Sequence, residues 1–232
     1  MMKKLEKMTA KELIVFCLMA IFAGIAVGIG GTASLISASR MGSGFGKILG
    51  GLLFSLGMYA IISFDMKLFT GMVAAIPKMG VKNTWKLPVC FICNALGVGL
   101  VAVLLTFSPI YAEVHLEASN LIGGKLHADN WALNSLCSGI LCGILITMSI
   151  WASHYAPVKG LSTTVGVILP IVVFAFCGFD HSVANMLYFY FLGEVSWHVV
   201  GYIVLSIIGN AIGGVLLPLV VMLRGTENDK TV

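Results

Sequence analysis

Long apolar stretches dominate the pattern of this chain, and polar residues are confined to short intervals between them. Four stretches contain no charged residue and run over Leu13–Ile36, Leu87–Tyr111, Trp131–Ser153 and Val199–Leu223. Each has at least the roughly 20 residues that a membrane-spanning helix needs. The pattern therefore predicts four helices that cross a bilayer.

Two further apolar segments, Lys47–Pro77 and Leu161–Leu192, are each interrupted once by charge. As continuous helices they would reach roughly 46–48 Å, against a hydrocarbon core of about 30 Å. Each is better interpreted as a helix, a non-helical break and a second, short helix. The first break carries Asp65 and Lys67, and the second carries Asp180 and His181. The sequence thus predicts six crossings.

The order helix, broken helix, helix occurs twice along the chain. Three crossings in each half turn the second half upside down relative to the first, which predicts an inverted three-helix repeat. Glycine pairs such as Gly24 and Gly28, or Gly209 and Gly213, favour close contact between these helices. Broken helices at matching places in two halves indicate a transport site where the breaks meet.

Composition excludes an ordinary soluble domain. Hydrophobic residues make up 59% of the chain, charged residues 10%, and the mean hydropathy is +1.01. We expect an all-α membrane protein in three parts: a basic N-terminal segment over residues 1–12, a six-helix transmembrane domain over 13–223 and a polar tail over 224–232. The longest polar connection, from Ser108 to Asn130, is expected to face outward.

The distribution of cations predicts the orientation. Six crossings place ten lysine and arginine residues on the side of the termini: Lys3, Lys4, Lys7, Lys11, Lys78, Lys82, Lys86, Lys159, Arg224 and Lys230. The opposite side holds Arg40, Lys47 and Lys125. Both termini are therefore expected in the cytoplasm, with the chain in the inner or plasma membrane. Topology accounts for the net charge of +4, so a nucleic-acid partner is not required.

The first break ends in Leu68, Phe69, Thr70 and Gly71. Unwound backbone at membrane depth must lie against protein or water. Leu68 and Phe69 are large enough to narrow a pathway, Thr70 offers a hydroxyl that can donate to an anion, and Gly71 permits a sharp bend. The alternative is a break that faces other helices, with a buried threonine.

The second break carries Asp180 and His181, followed by Asn185. Ionisable groups inside a membrane segment are typical of a functional site. A neutral imidazole at His181 would donate a hydrogen bond to a small anion. The alternative is a histidine that bonds to its own loop and satisfies the broken backbone.

Lys67 has two interpretations. At a pathway mouth it would raise the local concentration of anions. As a structural residue it would pair with Asp65 or Asp180 and avoid a lone buried charge.

The six cysteines all lie in predicted helices, and the pair Cys90 and Cys93 has the spacing of a metal or redox motif. No second pair and no nearby histidine accompanies it. We interpret the cysteines as small apolar residues and expect no metal site, disulfide framework or cofactor.

The segments Leu68-Phe69-Thr70-Gly71 and Gly178-Phe179-Asp180-His181-Ser182-Val183-Ala184-Asn185-Met186, with the pair Gly209-Asn210 and six crossings, resemble the formate/nitrite transporter family. The resemblance implies an aquaporin-like homopentamer in the lipid bilayer, with one pore in each protomer. It places Thr70 opposite His181 at mid-membrane. It also makes Leu68 and Phe69, with Phe174 opposite, hydrophobic constrictions on a substrate pathway that includes Asn185.

Four positions depart from the family pattern. Lys67 stands where the family usually has glutamate, Met72 replaces a polar residue, and Gly143 follows Cys142 where asparagine is usual. The family also has a lysine that attracts anions. In this chain His127 occupies the aligned position, and Lys125 stands two residues before it.

The function that the resemblance implies is passage of formate, nitrite or hydrosulfide, all anions of weak acids, linked to a proton. The anion would gain its proton near Thr70 and His181, either from His181 or from water, because a neutral acid crosses an apolar constriction at lower cost. The alternative is a channel of the same architecture for water or ammonia, although the Asn-Pro-Ala pairs of aquaporins are absent. No Ser-Lys or paired-carboxylate arrangement indicates an enzyme.

Overall fold

The computed structural model describes residues 8–155 and 160–228, and these residues form helices without any strand. A π-helical turn at Gly42–Gly46 and a short 3₁₀ turn at Val81–Asn83 join the helices. The helices are α1 (Ala10–Met41), α2 (Lys47–Ser63), α3 (Phe69–Val73), α4 (Ile76–Met79), α5 (Lys86–Thr106), α6 (Tyr111–Leu126), α7 (Trp131–Tyr155), α8 (Leu161–Cys177), α9 (Ser182–Leu192) and α10 (Trp197–Asn228).

Five helices in the described part of the chain are long and apolar enough to cross a membrane. They are α1, α2 with the turn before it, α5, α7 and α10. The pair α8 and α9, bent by 40° at its break, provides a sixth crossing if it counts as one span. The predicted all-α membrane protein is confirmed. Three parts of the chain lie outside the described residues: the basic residues 1–7, the loop residues 156–159, which include Lys159, and the last residues 229–232, which include Lys230.

Both predicted breaks are present. The helix α2 ends at Ser63 and α3 begins at Phe69, and α8 ends at Cys177 and α9 begins at Ser182. In the first break Asp65 adopts a φ of 51°, which is uncommon for a residue with a side chain. In the second break Gly178 adopts a φ of 70°, which glycine permits at little cost.

Several helix pairs bring their backbones close together at glycines, among them α1 with α5 and α7 with α10. A Cβ atom on Gly97 of α5 would overlap the carbonyl oxygen of Ile21, and one on Gly213 of α10 would overlap that of Ile140. Between these pairs, α2 packs against α8. The glycines thus allow a packing closeness that any other residue would prevent.

The polar connection over residues 108–130 folds mostly into the 16-residue helix α6. Its buried residues recur every four positions and form one face that packs on α9: Val114, Ala118, Ile122 and Leu126. At the chain ends, α1 already begins at Ala10, with Thr9 and Glu12 forming a capping box, and α10 continues to Asn228. The helices therefore extend beyond the limits predicted for the transmembrane domain.

Candidate functional site

The two breaks meet at one hydrogen bond. The hydroxyl oxygen of Thr70, in the first turn of α3, lies 3.1 Å from Nε2 of His181, the residue that precedes α9. Thr70 has no exposed surface and His181 has 1%. Two polar side chains from opposite halves of the chain are therefore joined in the interior.

The contacts of His181 define its tautomer. Its Nδ1 accepts a hydrogen bond from the backbone N–H of Ala184 at 3.1 Å and so caps the N-terminus of α9. Because a backbone nitrogen can only donate, Nδ1 carries no proton, and the proton of the neutral ring is on Nε2. His181 therefore donates to Thr70, whose own hydroxyl proton is left for another acceptor. The ring makes both the bond to its own loop and the bond across the site.

His181 lines a cavity of about 140 Å³. A buried water needs roughly 10–15 Å³, so the space is large enough for several waters or a small anion. Three charged residues also line the cavity, namely Lys47, Glu117 and Lys125. Near His181 the wall is aromatic: Phe54 and Phe174 pack edge to face at 5.2 Å, and the Phe174 ring lies 5.8 Å from that of His181.

Asp180 is 1% exposed and is the centre of a polar network beside this cavity. Its Oδ1 accepts from Nζ of Lys125 at 2.8 Å and from Nδ2 of Asn185 at 2.8 Å. Its Oδ2 accepts from the hydroxyl of Tyr202 at 2.9 Å. Lys125 also donates to the carbonyl of Gly178 at 2.7 Å. The buried carboxylate thus has a cation and two neutral donors, which is what a charge needs at this depth.

A buried asparagine of α5, Asn94, holds the first break. Its Oδ1 accepts from the backbone N–H of Phe69 at 2.8 Å. Its Nδ2 donates to the carbonyl oxygen of Lys67 at 2.9 Å and to that of Ala20 in α1 at 2.7 Å. The thiol of Cys90 donates to the same Lys67 carbonyl at 3.2 Å. Backbone groups that the break frees are satisfied in this way.

A buried asparagine of α10, Asn210, holds the second break in the same manner. Its Oδ1 accepts from the backbone N–H of Ser182 at 2.8 Å. Its Nδ2 donates to the carbonyl oxygen of Asp180 at 2.7 Å and to that of Gly139 in α7 at 2.9 Å.

The side chain of Lys67 forms an ion pair within the first break. Its Nζ lies 2.7 Å from Asp65, whose side chain is 91% exposed. It borders a cleft of about 690 Å³ that Lys11 and Lys86 also line. The structure thus pairs Lys67 with Asp65, and the cation beside Asp180 is Lys125.

The structure brings four of the predicted pathway residues together at the cavity and the break: Thr70, Phe174, His181 and Asn185. Leu68 and Phe69 are buried but do not line that cavity, and the Phe69 ring packs on Phe91 at 5.3 Å. His127 lies beside His198, with ring centroids 6.2 Å apart.

Sequence reasoning missed Asn94 and Tyr202 as site residues, and it noted Asn210 only as part of a motif. A signal existed for both asparagines. Each is an amide in an otherwise uncharged, strongly apolar span, and a polar group at that depth needs a partner. The identity of the partners could not be read, because they are backbone atoms of distant helices.

The fold and the site define a multi-pass membrane protein in which two interrupted helices meet at the centre. The family model described as formate/nitrite transporter matches residues 1–224. The chain belongs to this family of transporters, as the sequence resemblance predicted, and it is not an enzyme.

Curated relatives include two proteins of Escherichia coli (strain K12). The formate channel FocB is 28% identical over 193 residues, covering 78% of this chain and 67% of FocB. The formate channel FocA is 28% identical over 182 residues, covering 72% of this chain and 62% of FocA. The alignments thus span about two thirds of the length of these relatives.

Two solved structures share the fold. One, described as a pentameric formate channel with formate bound, has a TM-score of 0.76 at 22% identity and covers 95% of this chain and 99% of that chain. Another, described as an FNT family ion channel, has a TM-score of 0.78 at 21% identity, with 93% and 92% covered.

Proposed function

We propose that this protein conducts small monovalent anions of weak acids across the membrane, with formate as the principal substrate. The observation that carries the proposal is the buried contact between Thr70 and His181, the latter of which lines the cavity. The relatives FocA and FocB, both named formate channels, support formate as the first substrate to test. Nitrite and hydrosulfide have similar size and charge and belong in the same comparison.

The site can donate a hydrogen bond from a hydroxyl group to an anion. Because His181 donates to the Thr70 oxygen, the Thr70 hydroxyl is free to donate to a carboxylate that reaches the break. Lys47, which makes no ion pair with any described residue, attracts anions to the cavity. The aromatic wall of Phe54 and Phe174 then disfavours a bare charge and favours the neutral acid.

The proton that neutralises the anion comes from water, with His181 remaining neutral. A second proton on His181 would have to occupy Nδ1, where the N–H of Ala184 already points. Two donors would then face each other, and α9 would lose its cap. His181 acts as a fixed donor that orients Thr70.

Flux into proteoliposomes tests the proposal. We expect formate uptake to accelerate when the outside is made acidic, because a larger fraction of the permeant is the neutral acid, and we expect it to exceed the leak of empty liposomes. Nitrite, hydrosulfide, chloride and water are measured in parallel. Electrogenic formate current that is independent of pH would contradict the proton link. Water flux without anion flux would favour the alternative of a neutral-solute channel.

We further propose that the protein is a homopentamer in the inner or plasma membrane with both termini in the cytoplasm. The pentameric assembly described for a channel of the same fold supports the stoichiometry, and the excess of lysine on the side of the termini supports the orientation. Mass measurement of the detergent-solubilised protein should give five chains of 24.6 kDa. A monomeric or tetrameric mass would exclude this assembly.

A further inference from the structure

We propose that Asn94 is a positioning residue that holds Thr70 at His181 and thereby determines which solutes pass. The inference rests on the proposed function, since it assumes that the permeant passes the two breaks. Asn94 does not contact His181 itself. It acts through the N–H of Phe69, the residue directly before Thr70.

The first argument is the match between the two asparagines. Asn94 joins the carbonyl before Leu68 to the N–H after it. Asn210 joins the carbonyl before His181 to the N–H after it. Leu68 is therefore the positional counterpart of His181. In each half an asparagine side chain bonds to the backbone on both sides of one residue, an arrangement that we call an asparagine clamp. The clamped residue is apolar in the first half and is the histidine in the second.

The second argument is that both clamps are anchored alike. The side-chain amide of Asn94 also donates to the carbonyl oxygen of Ala20, and that of Asn210 donates to the carbonyl oxygen of Gly139. Four residues after each acceptor stands a glycine, Gly24 or Gly143. A Cβ atom on either would overlap the backbone carbonyl oxygen of the clamping asparagine. The first helix of each half therefore fixes the asparagine, and the asparagine fixes the break.

The third argument is that the first break depends on its clamp more than the second does. The second break is also held by the Asp180 network, through Lys125, Asn185 and Tyr202. In the first break, Asn94 and Cys90 are the described residues whose side chains hydrogen-bond to the backbone of residues 64–69. Without Asn94, a buried N–H and two carbonyls lose a partner, and Thr70 is free to leave His181.

The test compares size selectivity in proteoliposomes. The readout is the ratio of two fluxes: that of whichever small permeant the wild type conducts fastest, divided by that of lactate. Asn94→Ala is expected to lower this ratio about tenfold, which corresponds to about 1.4 kcal/mol of discrimination. Because the ratio does not require formate as permeant, it remains informative if formate proves not to be the substrate.

Two further variants separate positioning from folding. Asn94→Asp keeps the shape and the acceptor for the Phe69 N–H but places an oxygen against the carbonyls of Lys67 and Ala20, so a similar fall is expected. Asn120→Ala, on the exposed side of α6, is the matched control and should leave the ratio unchanged. A folded Asn94 variant with the wild-type ratio would overturn the proposal. Failure of both Asn94 variants to fold would overturn it too, since the residue would then be structural.

Discussion

Replacing Gly213 by alanine is expected to disrupt the fold, whereas the same replacement at Gly123 is expected to leave it intact. A Cβ at position 213 would overlap the carbonyl oxygen of Ile140, and it would lie 2.9 Å from that residue's carbonyl carbon and 3.0 Å from the nitrogen of Ile144. These are backbone atoms of a packed helix, so they cannot turn aside as a side chain can. The helices α7 and α10 must separate, and the asparagine clamp between them must open.

Gly123 is a stringent control because it is also a helical glycine, in α6, and a Cβ added there would meet no described atom within 4 Å. Alanine there should be neutral or favourable by up to about 1 kcal/mol, given its better helix propensity. Yield of folded protein, gel-filtration profile and thermal unfolding midpoint measure the effect. Equal midpoints for the two variants would refute the close packing of α7 and α10.

Replacing Lys125 by glutamine is expected to lower the thermal unfolding midpoint by about 10 °C. The change leaves Asp180, 1% exposed, without its cation. Removing one partner of a buried ion pair typically costs about 3–5 kcal/mol, and each kcal/mol shifts the midpoint of a protein of this size by about 2–4 °C. Circular dichroism or scanning fluorimetry in detergent provides the measurement.

A paired change distinguishes the loss of charge balance from the loss of packing. Lys125→Gln combined with Asp180→Asn removes both charges, and it should recover a large part of the lost stability. Lys47→Gln is the control, because Lys47 borders the same cavity but makes no ion pair with any described residue. If the double variant were less stable than Lys125→Gln alone, the ion pair would not be the cause.

The architecture could be predicted from the sequence because lipid imposes strong rules. An uncharged run of 20 or more residues permits few structures other than a spanning helix, and an apolar segment too long for one straight crossing, with charge inside it, indicates an interruption. Both breaks therefore fell where Asp65 and Asp180 indicated. The helix α6 was missed because its apolar face is narrow, with one buried residue in every four. Polar residues therefore dominate the average hydropathy of the segment.

The site was predictable only in part, and the reason is the kind of atom involved. Thr70 and His181 stand out as polar residues in breaks, so their roles could be proposed from the sequence. The clamping partners of Asn94 and Asn210 are backbone carbonyls and N–H groups, which every residue has and no sequence distinguishes. Lys125 was also hard to place, because its partner Asp180 lies 55 positions away and the pairing depends on how α6 packs.

The spacing of the clamps along the chain has a consequence for synthesis. Phe69 precedes its partner Asn94 by 25 residues, and Ser182 precedes Asn210 by 28. Each break therefore leaves the ribosome before the helix that will satisfy it. Every acceptor of the Asn94 amide lies in the N-terminal half and every acceptor of the Asn210 amide in the C-terminal half. Each three-helix half can thus close its own asparagine clamp before the other half exists, and the contact between Thr70 and His181 is left to form when the two halves meet.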